Sequence, residues 1–406
     1  MIETWRWFGP DDPVTLAHVR QTGATGVVTA LHHVNQGQAW PEAEVLKRKA
    51  EIEAAGLTWD VVESIAVPEV IKTRQGNVTA AIDRYRASLR AVGRAGIKTV
   101  CYNFMAITDW TRTDLNYRTA TGAFALRFDA VSLAVYDLFV LGRPNADADY
   151  TAAQIAAAEV RFGELSADDI ATLERNLIEW LPAREFVYDR ARFRDMLDVY
   201  RGIPVEQLRE NLFAFLRAVL PVAEEEGVRM CIHPDDPAFP IFGLPRVMTS
   251  AADVRQLFAA MPSTANGLTL CTGSFGSNRA NDLVAMAREF APRVYFAHLR
   301  NTTHEADGSF HEADHLGGDT DVIGVVATLL TEEARRRAAS DPAGAIPFRP
   351  DHGRLMMNDI GMRVNPGYSG IGRMRGLAEL RGVIKTIEAL GRGCLTTAAH
   401  GSVQAA

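Results

Sequence analysis

VRMCIHPDDPAFP, residues 228–240, begins as a short apolar run and stops in a Pro/Asp-rich turn, with Cys231 and His233 two positions apart at the junction. Read as a strand, it points both side chains to one face at depths about 6.5 Å apart. His233 then stands at the open end, within reach of a ligand, and Cys231 belongs to the interior. Working outward, seven more β-rich runs share this form: TWRWFG (4–9), GVVTALHH (26–33), TWDVVES (58–64), TVCYNF (99–104), GLTLCTGS (267–274), RVYFAHLR (293–300) and IPFRPDHG (346–353). Between them lie segments of helical periodicity, such as PEAEVLKRKAEIEAAGL, that close on glycine just before the next run, as helix C-caps do. Eight β-then-α units predict a closed TIM-type (β/α)₈ barrel over residues 1–394. A doubly wound open sheet also alternates β and α, and the count of eight favours the barrel.

More than a hundred residues separate the fourth and fifth runs, far beyond an ordinary connection. An insertion over about 105–205 must therefore carry structure of its own. Its first part is rich in aromatic and charged residues, and Tyr150 to about Arg201 reads as helices. Placed after a strand, it sits at the catalytic face as a lid or an oligomer contact. The tail, 395–406, is small and polar and reads as loosely ordered.

The composition bounds the partners. Net charge is −7, from 43 Lys+Arg and 50 Asp+Glu, with no basic block, so no nucleic-acid surface is indicated. No apolar stretch approaches 18 residues and no basic-then-apolar leader opens the chain, which predicts a cytoplasmic protein without a membrane span. Four cysteines lie far apart with no CxxC pair, as expected in a reducing compartment.

The ends of the last four β runs carry His233, Cys271, His298 and Asp351. Each type has an ordinary structural use: a strand-end His bonds to backbone, a buried Cys packs, an Asp caps a turn. Four of them on consecutive strands, about 4.8 Å apart at the catalytic rim, can converge on one ion. Nearby, Arg300 and Asn301, both taken as substrate-binding, follow His298, His352 and Arg354 flank Asp351, and Tyr368 follows in NPGYSGIG. An arginine there can clamp a carboxylate, and His352 or Tyr368 can move protons. At the first strands Trp5, Trp7, Phe8, His32 and His33 can line the pocket. Alternation lets only one of the two histidines face inward, and Trp7 and His33 are taken as substrate-facing. FHEADH (310–315) matches the HExxH zinc signature through His311, Glu312 and His315. DGS before it and LGGD after it predict a loop rather than the helix that signature needs.

TWRWFGPDDPV, TGVVTALHH, VCYNFMAITDWTRTDL, CIHPDDPAFPIFGLPR, LTLCTGS, HLRN, DGSFHEADH, RPDHG and NPGYS, in this order, resemble the mannonate dehydratase family of hexuronate catabolism from about residue 1 to 391. The resemblance implies a barrel enzyme that removes water from D-mannonate to give 2-dehydro-3-deoxy-D-gluconate with Mn²⁺ or Fe²⁺, working as a homo-oligomer. It implies the same four metal ligands, proton transfer by His352 and Tyr368, and Arg300 and His311 near substrate. Two departures stand out: Arg354 occupies a position where many members carry histidine, and WLPAREFVYDRARF (180–193) differs from the usual LPG-type sequence. The rival readings are a metal-dependent sugar isomerase or epimerase on the same barrel and a non-catalytic sugar-acid binder.

Overall fold

The computed structural model describes residues 1–35, 37–179 and 189–400. Of the departing stretch 180–193, residues 180–188 lie outside them. Among the described residues twelve strands form: β1 (Ile2–Arg6), β2 (Gly26–Thr29), β3 (Thr58–Glu63), β4 (Thr99–Tyr102), β5 (Asp114–Arg118), β6 (Phe124–Phe128), β7 (Arg229–Ile232), β8 (Asn266–Cys271), β9 (Val294–His298), β10 (Thr302–His304), β11 (Phe310–Glu312) and β12 (Pro347–Arg349). Eight of them close in the order β1-β12-β9-β8-β7-β4-β3-β2, all parallel, and β1 pairs with both β2 and β12. That closure rules out the open sheet. The eight are the eight runs read from the sequence.

Their interior is packed. Val28, Val61, Cys101, Cys231 and Phe296 are fully buried and form a cluster of their own inside the barrel, so Cys231 is a core residue. A larger apolar cluster lies between strands and helices. The helices begin and end as their sequences dictate: Asn77 accepts from the Ala80 N–H to cap Val78–Arg94, and Gly96 beyond its end takes φ +82°, a conformation side chains resist.

Between β4 and β7 the chain makes the β5–β6 hairpin and then helices including Ala152–Glu164 and Arg190–Tyr200. The partly helical insertion is present, but its aromatic first part is β structure. Its hairpin joins β10 and β11, which follow the seventh barrel strand, in a four-stranded antiparallel sheet ordered β10-β11-β6-β5. The sequence reading missed this sheet because its partners lie far apart along the chain: Phe310 pairs with Phe128. The expected loop at FHEADH is corrected too, since His311 and Glu312 lie on β11. The closing helix, Gly370–His400, runs into the stretch read as a tail, of which 401–406 lie outside the described residues. Among the described residues no helix is long and apolar enough to cross a membrane.

Candidate metal centre and active site

Register sets the level of the site. Cys271 is the strand partner of His298, and His298 of Arg349, so three neighbouring strands present these side chains in one ring. His233 follows the last residue of β7. One donor atom each from His233, Cys271 and His298 lies within 4.8 Å of the others. Asp351 comes two residues past Arg349 in the left-handed region (φ 58°), which aspartate tolerates better than most residues. Its Oδ2 lies 3.7 Å from Cys271 Sγ and 3.8 Å from His298 Nδ1. All four residues expected as ligands are thus brought together at the rim.

The hydrogen bonds suit them to a cation. His233 Nδ1 lies 2.7 Å from the Pro234 carbonyl, which can only accept, so the proton is on Nδ1 and Nε2 is bare. That Nε2 faces His298 Nδ1 at 3.1 Å, while His298 Nε2 accepts from Arg349 Nε at 3.2 Å. His298 Nδ1 must then carry the proton between the rings, and a cation replacing it would meet two lone pairs and a sulfur. Cys271 Sγ accepts from the Ser274 N–H at 3.3 Å, the start of a short helix. Thiolate, two imidazoles and a carboxylate are a sufficient donor set for a divalent transition metal.

Behind the donors is a buried charge network. Asp351 contacts both Arg349 and Arg300. Arg300 also meets Asp236 and Glu312, and Arg112, from the segment leading into β5, bridges the same two at 2.8 and 2.9 Å. Glu63 pairs with Arg349 at 2.9 Å and lies 3.5 Å from His298 Nε2. Burial by itself would raise these carboxyls, yet Arg300, His352 and Arg112 hold Glu312 down to about 2, and Arg112 and Arg300 hold Asp236 well below the usual range. Around the cleft, four carboxylates (Glu63, Asp236, Glu312, Asp351) meet four guanidiniums (Arg6, Arg112, Arg300, Arg349), while burial pushes the Asp109 carboxyl up.

The cleft over this floor is walled by Phe8, Trp110, His352 and Tyr368, with Arg6, Asn103 and Asp109 at its edge. The His352 ring stands edge-on to Tyr368 at 5.1 Å and to Trp110 at 5.5 Å, and its Nδ1 lies 3.0 Å from Glu312 Oε1. Burial pushes the Tyr368 phenol up, so it stays protonated.

Four residues assigned to substrate lie elsewhere. Along β1 and just beyond, Arg6 and Phe8 face the cleft, so alternation turns Trp7 outward under Arg48, 5.1 Å from its ring. β2 ends at Thr29, before the histidine pair, and His33 lies in an exposed turn bonded to Glu44 at 3.0 Å; it is His32 that packs on Phe8. The Asn301 carboxamide accepts from the Thr302 and Thr320 N–H groups and donates to the Thr320 carbonyl, locking a loop. His311 alternates with Glu312 on β11 and turns to Tyr117, 5.1 Å away. Arg354, at the departure from the family pattern, pairs with Asp314 at 3.0 Å. Conversely, the sequence reading missed Glu63, Arg112, Asp236, Glu312 and Arg349. Arg349 alone had a usable signal: it shares strand parity with Asp351.

Gly273 shows how tightly the network is held. A Cβ there would sit 2.5 Å from Arg300 Cγ and 2.6 Å from its Cζ, and the guanidinium is pinned among three carboxylates. Gly273→Ala is expected to lower stability by about 1–3 kcal/mol through overpacking, read as an earlier urea midpoint at unchanged slope, with a fall in turnover.

A parallel barrel carrying a His/Cys/His donor group and a buried His352–Tyr368 pair at its C-terminal rim defines a barrel enzyme with a candidate metal centre. The family model described as D-mannonate dehydratase (UxuA) matches residues 1–392, and the chain belongs to that family. It is 54% identical to "Mannonate dehydratase 2" of Agrobacterium fabrum over 388 residues, covering 96% of this chain and 98% of that protein. It is 51% identical to the "Mannonate dehydratase" of Saccharophagus degradans, covering 97% and 99%. Among solved structures it is similar to the mannonate dehydratase from Streptococcus suis serotype 2, with a TM-score of 0.76, 34% identity and 96% of each chain covered.

Proposed function

We propose that the chain is a hydro-lyase that converts D-mannonate to 2-dehydro-3-deoxy-D-gluconate and water, with Mn²⁺ or Fe²⁺ at His233, Cys271, His298 and Asp351. The observation that carries this reading is the donor group lying beside a buried His352–Tyr368 pair in one cleft. When bound, a divalent ion supplies Lewis acidity toward the substrate's carboxylate and neighbouring hydroxyl. Arg6, Arg300 and Arg349 line the cleft that would receive the anionic sugar acid.

The reaction removes the C2 hydrogen as a proton and the C3 hydroxyl as water. The C–H electron pair becomes the C2–C3 double bond, the C–O pair leaves with oxygen, and the resulting enol becomes the 2-ketone. His352 takes the C2 proton and Tyr368, kept protonated by burial, gives one to the leaving oxygen. Phe8 and Trp110 screen the pair from water.

Metal-stripped protein incubated with D-mannonate tests the reading, with Mn²⁺, Fe²⁺, Zn²⁺ or nothing returned and 2-keto-3-deoxy acid measured by the thiobarbiturate colour. Product that depends on Mn²⁺ or Fe²⁺ is the expected result. An epimerised or isomerised acid without loss of water, or no product with any metal, would overturn it.

A further inference from the structure

FHEADH fails as a zinc signature, yet its residues are not idle. β11 alternates, so His311 leaves the site while Glu312 enters it, 5% exposed. Its Oε1 receives three donors: Arg112 Nη2 at 2.9 Å, Arg300 Nη1, and His352 Nδ1 at 3.0 Å. His315 Nε2 reaches the Pro350 carbonyl at 2.6 Å, bracing the chain just before Asp351 and His352. An ionised carboxylate only accepts, so the hydrogen shared with His352 sits on Nδ1. Its Nε2 makes no hydrogen bond among the described residues, and the ring lines the cleft.

We infer that Glu312 is a positioning residue for the proposed dehydration, holding His352 in the Nδ1–H tautomer with Nε2 free to accept a proton, and that Arg112 of the insertion holds Glu312 in turn. The inference rests on the dehydratase reading above and adds a role for the antiparallel sheet. Arg112 Nη1 is fixed by Asp236 and its Nη2 by Glu312, and its guanidinium lies 5.0 Å over the Phe310 ring. The sheet is thereby built into the acid–base apparatus, as an orienting carboxylate is in other histidine-based enzymes. Through this chain of contacts, displacement of the hairpin would reach His352 without any residue of the hairpin touching substrate.

The test is a double-mutant cycle joined to a direct view of the ring. Glu312→Ala should lower kcat by about 100-fold or more with KM changed less than about threefold, since Glu312 acts through His352 rather than on substrate. In a His352→Ala background the same change should lower the residual kcat less than about twofold. Glu312→Gln can keep its oxygen in place of Oε1 and should retain much of the activity. Long-range ¹H–¹⁵N spectra of histidine-labelled protein carrying diamagnetic Zn²⁺ should report His352 as Nδ1–H in the wild type and a mixture of tautomers in Glu312→Ala. Multiplying losses in the cycle, or an unchanged tautomer in Glu312→Ala, would overturn the inference. Absence of dehydration by the wild type would instead sink the functional reading, while the spectra would still decide what Glu312 does to His352.

Discussion

Cys271→Ser is expected to lose its metal on dialysis and with it at least about 100-fold of turnover, the upper end of what even outer-shell changes do to metal sites. The substitution is nearly isosteric, so the effect isolates chemistry. The serine hydroxyl can still accept from the Ser274 N–H and face Asp351, both of which Cys271 meets now. What disappears is a soft anion: a thiol gives up its proton to a cation near neutrality, whereas an aliphatic hydroxyl does not. Metal content by elemental analysis and keto-acid formation should fall together. Cys231→Ser is the matched control, because Cys231 lies in the packed interior on the strand ending beside His233. That variant should keep its metal while losing some stability. Full metal occupancy in Cys271→Ser would remove Cys271 from the ligand set.

Much of this centre was legible in the sequence because barrel strands are regular. Alternation and a shared rim make His233, Cys271, His298 and Asp351 equivalent positions before any coordinates exist, and register then places Cys271 beside His298. The residues that lie outside the cleft are placed there by the same regularity in reverse. Trp7 has the wrong parity, and His33 lies beyond the point where its strand stops. The charge network was invisible for a different reason. Asp236 reads as one more acid in a turn, Arg112 as one more cation in an insertion, and they meet across 124 positions of chain. No local pattern encodes that contact, since it exists only once the hairpin folds over the rim and pairs with β11. Glu312 was seen only as part of a motif whose chemistry did not apply; its function depends on the strand that turns it inward.

Arg300→Met is expected to be among the most destabilising single changes in the chain, by about 3–5 kcal/mol, because it leaves three buried carboxylates short of counter-charge. Arg300 is 2% exposed and touches Asp236, Glu312 and Asp351 at once. Methionine fills similar volume, so packing loss is small and the deficit is electrostatic. Arg112 still reaches Asp236 and Glu312, which limits the loss, but one guanidinium cannot neutralise both. The deficit should also depend on pH in a defined sense. In the wild type Glu312 titrates at about 2 and Asp236 lower than usual, so each stabilises the fold above the ordinary carboxyl range of about 4 and stops doing so as pH falls through its folded value. Without Arg300 both folded values rise. The gap in urea midpoint between variant and wild type should therefore be widest near pH 7 and narrow as pH falls toward 4, where the variant's carboxyls become neutral. A gap that is constant over that range would mean that Arg300 holds the rim by packing, and Arg300→Lys separates the two further: lysine keeps the charge but has no fork to hold three carboxylates, so it should recover only part of the midpoint.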